Sequence, residues 1–290
     1  MKNVSLVLSG GGARGVAHIG VIEELEKRGF NIHSIAGTSM GALVGGIYAA
    51  GKLSEFKKWL LNLDKIDVFK LMDFTLLNKG FIKGDKVFNE LNEFIPDVKI
   101  QDLNINYQAI ATDLTNRKEV VFTKGDLLKA IRASVSIPNI LTPVKRGKSI
   151  LVDGGVINNL PINHAIRKNK DILVAVNVNA NIPLPENEKK KEKIEEKESF
   201  YKDLLKKFNN GLSKLFPNDK KIPLGYFDIM NDSLEIMRDE LVKFSLEIYP
   251  PDILIETPRD MCRMFDFYKA KELIEVGQKA TIKSLDDNKN

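Results

Sequence analysis

Short apolar runs of strand length alternate along the chain with longer segments in which apolar residues recur at helical spacing. The predicted strands are residues 4–8, 32–36, 107–112, 120–123, 150–153, 172–178 and 253–256. The predicted helices before residue 180 are residues 16–28, 40–50, 54–63, 85–94, 126–133 and 162–169. Several of the strand runs are continuously apolar, which is typical of strands buried on both faces. The pattern therefore predicts an α/β fold with a mainly parallel sheet covered by helices on both faces.

The pattern changes after Ala180. Residues 186–198 carry five lysines and six glutamates, which is typical of a solvated or disordered segment. A basic amphipathic stretch follows, in which lysines separate the apolar residues Phe200, Leu204, Leu205, Phe208, Leu212, Leu215 and Phe216. This apolar stripe either contacts a membrane surface peripherally or packs on its own domain, and the sequence leaves both interpretations open.

The whole chain is interpreted as one domain over residues 1–290. Its core covers about residues 1–180, and the charged and amphipathic insertion covers about residues 181–222. The C-terminal part, residues 223–290, is predicted to return to the fold through a helix at 231–246, a strand, and a last helix near 265–285.

Composition narrows the functional classes. Hydrophobic residues make up 43% of the chain and charged residues 29%, which is ordinary for a globular protein. A single cysteine, Cys262, and three scattered histidines favour neither a disulfide scaffold nor a metal site, so no metal and no cofactor are predicted. No apolar run is long enough to span a bilayer. The net charge of +5 leans only weakly towards anionic partners. A cytoplasmic protein that does not bind nucleic acid is expected.

A glycine-rich turn follows the first predicted strand. It consists of Gly10, Gly11, Gly12, Ala13, Arg14 and Gly15. The spacing matches a dinucleotide-binding G-x-G-x-x-G motif, but that motif also needs an acidic residue after the second strand, and residues 29–54 contain none. Consecutive glycines beside a helix amino end also form a nest of N–H groups that binds a phosphate or a transient oxyanion.

Two further motifs place a serine and a carboxylate after predicted strands. Gly37-Thr38-Ser39-Met40-Gly41 has the G-x-S-x-G form and the strand–turn–helix context of a nucleophile elbow, although an N-capping serine in a tight turn fits the same pattern. Asp153-Gly154-Gly155 ends another strand, where an ordinary Asp-Gly turn is the alternative. Both side chains are expected at one edge of the sheet.

Taken together, the GGGARG loop, the GTSMG elbow and the DGG turn resemble the patatin-like phospholipase family over about residues 1–180. The resemblance implies a three-layer α/β/α lipid acyl hydrolase with a Ser–Asp dyad. Ser39 is then the nucleophile and Asp153 the base. The N–H groups of Gly11, Gly12 and Ala13 are the implied oxyanion donors, and Arg14 and Gly15 shape or support the loop. Gly10 is implied to belong to the same oxyanion and substrate-binding loop.

The order Ser39, Asp153, His164 also fits a conventional serine–acid–histidine triad, which is a rival arrangement. His164 is expected on a helix surface, whereas His18 and His33 are expected to have structural roles. A dyad requires Asp153 to be poorly solvated, so its pKa should lie above the usual value of about 3.9.

The substrate class follows from the apolar residues beyond the elbow. Phe56, Trp59, Leu60, Leu63, Ile66, Phe69, Leu71, Met72, Phe74, Leu76, Leu77 and Phe81 are predicted to cover an acyl-chain groove or to form core. Residues 134–144 are expected to line the same cleft. A phospholipid or lysophospholipid fits best, with a neutral lipid as the alternative. A non-catalytic lipid- or nucleotide-binding module is the alternative, and homo-oligomerisation is left open.

Overall fold

The structure is a computed structural model, and it describes residues 2–72, 83–95, 97–138, 140–184 and 224–287. The strands are β1 (Lys2–Leu8), β2 (Phe30–Thr38), β3 (Asn106–Asp113), β4 (Lys118–Phe122), β5 (Val144–Arg146), β6 (Ser149–Asp153), β7 (Ile172–Ala180) and β8 (Ile253–Pro258). The helices are α1 (Ala17–Lys27), α2 (Met40–Ala49), α3 (Leu53–Asn62), α4 (Lys65–Leu71), α5 (Asp85–Leu91), α6 (Leu127–Ser134), α7 (Leu224–Ile248) and α8 (Ala270–Asp287).

One sheet contains all eight of these strands. Its main path runs β5-β6-β3-β2-β1-β7-β8, and β4 pairs with β3 beside that path. The five strands from β3 to β8 along the path are mutually parallel, whereas β4 and β6 run antiparallel to β3. The predicted α/β fold with a mainly parallel sheet is confirmed.

Both faces of the sheet are buried. In β1, Leu6 and Leu8 join the larger core cluster with residues of α1, α2 and α8, while Val7 points to the other face. There Val7 packs in a smaller cluster with Leu160 and with Val242 of α7. Because successive strand residues alternate between faces, a strand covered on both sides is apolar at consecutive positions, as Leu6, Val7 and Leu8 of β1 are.

Helices α1 and α8 cross at glycines. A Cβ on Gly20 would lie 2.0 Å from the Ile274 carbonyl oxygen, and one on Gly277 would lie 2.0 Å from the Ala17 oxygen. The two backbones therefore touch, and this contact fixes the last described helix against the first.

The predicted helix over residues 162–169 is wrong. The chain makes only a 3-10 turn, Ile162–His164, and then continues without helix. The reason is tertiary: the Ile166 carbonyl accepts hydrogen bonds from the hydroxyls of Ser5 (2.6 Å) and Ser34 (2.8 Å). These partners from the sheet replace the hydrogen bonds that a helix would have made.

Helix α7 has an exposed apolar side. Ile229, Ile236, Met237, Phe244 and Ile248 are each more than half exposed, whereas Val242 is buried against the sheet. No helix in the described ranges is long and apolar enough to cross a bilayer. The predicted basic amphipathic stretch over residues 200–216 lies outside the described residues, as do residues 185–199.

Candidate active site

Ser39 occupies the sharp turn between β2 and α2. Its backbone has φ 53° and ψ −122°, a conformation with positive φ that costs a serine energy. The flanking glycines are required by close approach: a Cβ on Gly37 would lie 2.6 Å from the Ala42 nitrogen, and one on Gly41 would lie 2.3 Å from the Leu8 oxygen. The local geometry is that of a nucleophile elbow.

A second serine holds this turn in place. The Ser39 N–H donates to Ser134 Oγ at 2.9 Å, and the Ser134 hydroxyl donates to the Ile110 carbonyl at 2.6 Å. Ser134 is fully buried at the end of α6. The sequence placed Ser134 only at the start of the segment predicted to line the cleft. A small hydroxyl next to a predicted helix end was the one signal available for this positioning residue.

The strand pairing that brings Asp153 close to Ser39 was not predicted from the sequence. Along β3, Ile110 is paired with Thr38 of β2 and the next residue, Ala111, is paired with Asp153 of β6. Strand β4 occupies the other edge of β3 at both positions, so β2 and β6 lie end to end on the same edge. The sequence-based expectation placed Asp153 at the carboxyl end of a strand in a mainly parallel sheet, with no direction given for that strand. Because β6 is antiparallel, its carboxyl end meets that of β2 head-on.

The surroundings of Asp153 favour its neutral form. The residue is 5% exposed, and burial raises the pKa of its carboxyl group to about 6. The Ser39 hydroxyl, the Gly155 N–H and the charge of Arg238 act in the opposite direction and lower the pKa. The sequence-based expectation of a raised pKa is confirmed.

The two carboxylate oxygens of Asp153 differ in their contacts. Oδ1 accepts a hydrogen bond from the Gly155 N–H at 2.7 Å, whereas Oδ2 is buried and has no hydrogen-bond partner among the described residues. The Ser39 hydroxyl is nevertheless close enough to favour the ionised form. Contacts of this kind often tighten only when substrate binds. Gly154 allows the close approach, since a Cβ there would lie 2.4 Å from the Ile110 oxygen.

The glycine-rich loop lies against the elbow. A Cβ on Gly10 would be 3.0 Å from the Ser39 Cβ, and the Gly10 N–H donates to the Asn159 carbonyl at 3.0 Å. The N–H groups of Gly11 and Gly12 have no acceptor in the described part of the chain. The Ala13 N–H donates to the Met264 carbonyl at 2.9 Å, so the expectation that Ala13 is a free donor is wrong for this conformation.

Arg14 and Gly15 support the loop, each in a different way. Arg14 Nε donates to the Gly11 carbonyl at 3.2 Å, and its guanidinium also pairs with Glu235 of α7. Gly15 allows α2 to approach, because a Cβ there would lie 2.6 Å from the Met40 Cβ. Arg14 therefore ties the loop to α7, and Gly15 lets the loop lie against the amino end of α2.

An apolar cavity of about 160 Å³ opens beside Ser39. Ser39 carries the one hydroxyl group in its lining, and the remaining lining side chains are apolar. The segment predicted to cover an acyl groove contributes Phe56, Trp59, Leu60, Leu63, Leu71 and Met72, and the second predicted segment contributes Val135, Ile137, Ile140 and Leu141. Ile66 is instead 62% exposed. Phe74, Leu76, Leu77 and Phe81 lie outside the described residues.

Comparison with known proteins identifies the family. Residues 6–166, over half of the chain, match the family model of the patatin-like phospholipases. The chain belongs to the patatin-like phospholipase family. This membership supports lipid hydrolysis as its activity and confirms the resemblance carried by the three sequence motifs.

Relatives and solved structures agree with this patatin-like assignment. An uncharacterised NTE family protein of Mycobacterium bovis is 32% identical, with 98% of this chain and 91% of that protein aligned. Lysophospholipase NTE1 of Debaryomyces hansenii is 33% identical over 61% of this chain but only 12% of its own length. The crystal structure of VipD from Legionella pneumophila matches with a TM-score of 0.51 at 15% identity, covering 99% of this chain and 67% of VipD, and supports the fold.

The three histidines of this patatin-like chain have other partners. His164 Nε2 lies 2.9 Å from Glu119 and also contacts Asn163, and in the described ranges it bonds neither Ser39 nor Asp153. His18 is buried against the Ser9 carbonyl, and burial lowers its pKa to about 4. His33 contacts Asp171 at the amino-terminal side of the sheet. The geometry therefore favours the dyad over the triad.

Proposed function

We propose that the protein is a serine lipid acyl hydrolase of the phospholipase A or lysophospholipase type, with Ser39 as nucleophile and Asp153 as general base. The observation that carries the proposal is the meeting of β2 and β6 along one edge of β3. It brings a strained serine to a buried carboxylate whose Oδ2 has no other partner among the described residues. The histidine that a triad would need is paired with Glu119.

The acylation step follows from these positions. The Ser39 oxygen attacks the ester carbonyl while its proton passes to Asp153, and the C–O bond that forms leaves a negative charge on the carbonyl oxygen. The N–H groups of Gly11 and Gly12 stabilise that oxyanion, and each such donor is typically worth about 2.7–4 kcal/mol. Collapse of the intermediate breaks the bond to the alcohol, which leaves with the proton from Asp153.

Deacylation repeats the same steps with water. Asp153 takes a proton from a water molecule that attacks the Ser39 ester, and the oxyanion forms again at the glycine-rich loop. The acid is released when the proton returns to the Ser39 oxygen. A positioned general base contributes about 10²–10⁴-fold to such a reaction.

A lipid acyl group is the substrate part that the apolar cavity supports. A dry cavity of about 150 Å³ accommodates a guest the size of benzene, so this cavity accepts an acyl segment of roughly six carbons without rearrangement. The lysophospholipase relative supports a phospholipid or lysophospholipid as the class of ester. Peripheral membrane contact, cytoplasmic localisation and homo-oligomerisation stay predictions.

Two substitutions test the dyad. Ser39→Ala and Asp153→Asn should each reduce hydrolysis of a short p-nitrophenyl ester to background, because one removes the nucleophile and the other the base. A fluorophosphonate probe should label the wild type at Ser39, as mapped by mass spectrometry.

His164→Ala is the matched control and should retain the wild-type rate, since His164 pairs with Glu119. Circular dichroism should show that all three variants are folded. Full activity in either dyad variant, or a severe loss in His164→Ala, would contradict the proposed mechanism.

A further inference from the structure

A second, polar cleft lies beside the candidate active site. It is lined by three arginines, two carboxylates and two asparagines: Arg14, Arg238, Arg259, Glu235, Asp239, Asn159 and Asn179. It shares no lining residue with the apolar cavity. Ser39 lines the apolar cavity, whereas the polar cleft, with a free volume of about 10 Å³, is lined by neither Ser39 nor Asp153.

Asn159 connects this cleft to the dyad. Its Oδ1 would lie 2.6 Å from a Cβ on Gly10 and 2.8 Å from a Cβ on Gly155, so it fills the space between the glycine-rich loop and the turn after Asp153. Gly10 in turn abuts Ser39. The charge of Arg238 also acts on Asp153, which places α7 within electrostatic range of the base.

The lining of the cleft carries one net positive charge. Three arginines face two carboxylates, and the further carboxylate on which the charge of Arg238 acts is that of Asp153. Glu235 is shared between Arg14 at 3.4 Å and Arg238 at 3.5 Å, and both distances are long for charged hydrogen bonds. Arg259 pairs closely with Asp239 at 2.6 Å, yet its Nε is buried without an acceptor in the described part of the protein. The cluster thus has more donors than acceptors.

We propose that this cleft binds the phosphate of the substrate's head group and that Arg238 is the residue that selects phosphate-bearing esters over neutral ones. The inference rests on the proposed function. With the acyl chain in the apolar cavity and the ester carbonyl at Ser39, the alcohol part of the substrate is directed towards the charged side. A guanidinium matches a phosphate through two parallel hydrogen bonds.

Arg238 is distinguished from the other two arginines by its contacts. Arg14 also holds the Gly11 carbonyl, and Arg259 has a short ion pair with Asp239. The ion pair of Arg238 is the long one to Glu235, on the preceding turn of the same helix. A phosphate that replaces Glu235 as its partner would break little existing structure.

Matched substrates test this assignment. Lysophosphatidylcholine and a monoacylglycerol with the same acyl chain, both as monomers, should be compared by kcat/KM. In Arg238→Gln the value for lysophosphatidylcholine should fall by about 10- to 100-fold, the usual worth of a hydrogen bond to a charged group. The value for monoacylglycerol should change far less, and Arg238→Lys should recover part of the loss through its charge.

Lys243→Gln is the control on the same helix, because Lys243 is exposed and pairs only with its neighbour Glu240 in the described structure. It should leave both substrates unaffected. An equal loss on both substrates in Arg238→Gln would overturn the proposal, because that result marks a structural role or an effect on Asp153 alone.

Competitive inhibition of the wild-type protein tests the same head-group site. Glycerophosphocholine should inhibit hydrolysis of monoacylglycerol competitively, whereas glycerol at the same concentration should not. Absence of a difference between them would also overturn the proposal. If Ser39→Ala retained activity on both esters, the proposed hydrolase mechanism itself would fail. If Ser39→Ala were inactive and Arg238→Gln showed no preference, only the head-group site would fail.

Discussion

Asp153 is a carboxyl group that must be ionised to accept a proton from Ser39, yet it lies where ionisation is unfavourable. Burial raises its pKa to about 6, while hydrogen bonds and Arg238 reduce the size of that increase. A base with a pKa near the working pH is effective, since it is ionised and still basic enough to take the proton. The same burial therefore costs stability and improves the base.

The pH dependence of activity should report this group. On a neutral ester, kcat/KM should rise with pH through an apparent pKa of about 6 and level off above it, because only ionised Asp153 accepts the proton. In Arg238→Gln the rise should move to higher pH, since a charge that favours the carboxylate is lost. Initial rates from about pH 4.5 to 8.5 would measure both curves. A rate that is constant down to the lower limit would contradict the assignment of the base.

Asp153→Asn should stabilise the protein at neutral pH. The folded-state pKa of about 6 lies above the reference value of 3.8, so the folded state binds more protons than the unfolded state between these values. The wild type therefore loses unfolding free energy as pH rises through this window, by up to about 3 kcal/mol in total. An amide side chain does not ionise, so the variant avoids that loss. Denaturant unfolding should show the variant's advantage at pH 8 and little at pH 4; the reverse trend would contradict it.

Strand β3 sets the distance between the two reactive side chains. Its neighbouring residues Ile110 and Ala111 hold the ends of β2 and β6. Gly154 follows directly and lies against the Ile110 carbonyl. The separation of Ser39 and Asp153 is therefore determined by backbone pairing within a sheet, which is more rigid than a loop.

Gly154→Ala should separate the dyad without unfolding the chain. A Cβ at this position would lie 2.4 Å from the Ile110 oxygen, so the end of β6 must move away from β3. A displacement near 1 Å is enough to lower kcat by about 10²-fold. Ester hydrolysis and thermal unfolding should be measured together.

The control for this variant is Gly147→Asn in the turn between β5 and β6. Gly147 has φ 61° and nothing within 4 Å of a Cβ, and asparagine tolerates this backbone conformation well. Its activity should match the wild type. Equal activity of Gly154→Ala and Gly147→Asn would show that β3 does not set the dyad distance.

The sequence predicted the elements that local pattern determines and missed those that depend on distant pairing. The elbow at Ser39 was predictable because glycine spacing and a buried strand specify it locally. The antiparallel direction of β6 was not, since the apolar run before Asp153 reads the same in either direction. The hydrogen bond from Ala13 to Met264 joins residues far apart in the chain, and no local pattern encodes it.

Helix α7 illustrates the same limit. Its pattern predicted a helix over residues 231–246, close to the observed Leu224–Ile248. The pattern did not indicate that Glu235 and its neighbour Arg238 would lie beside the glycine-rich loop, because Arg14, the partner of Glu235, is more than 200 residues away. Charged residues on an amphipathic helix are usually solvated, so the sequence offered no reason to place these at a functional site.

The contact between the first and last described helices, α1 and α8, stabilises the molecule as a whole. Gly277→Ala should destabilise the whole domain by about 1–3 kcal/mol, because the added methyl group would lie 2.0 Å from the Ala17 oxygen and force α8 outwards. Chemical denaturation should show a lower midpoint with one cooperative transition.

Lys283→Ala on the exposed side of α8 is the matched control and should unfold like the wild type. If Gly277→Ala were as stable as this control, the close crossing of α1 and α8 would make no contribution to stability.

The crossing of α1 and α8 has a consequence for the nascent chain during translation. Gly20 emerges early, but its partner helix follows about 250 residues later. At typical translation rates of about 5–20 residues per second, α8 is synthesised roughly 13–50 s after α1. During translation the glycine-containing face of α1 stays uncovered, and β1 lacks its neighbour β7 until residue 180 has left the exit tunnel. A nascent chain halted before Ala270 would therefore present apolar surface to chaperones and proteases, although every motif for catalysis had already been made.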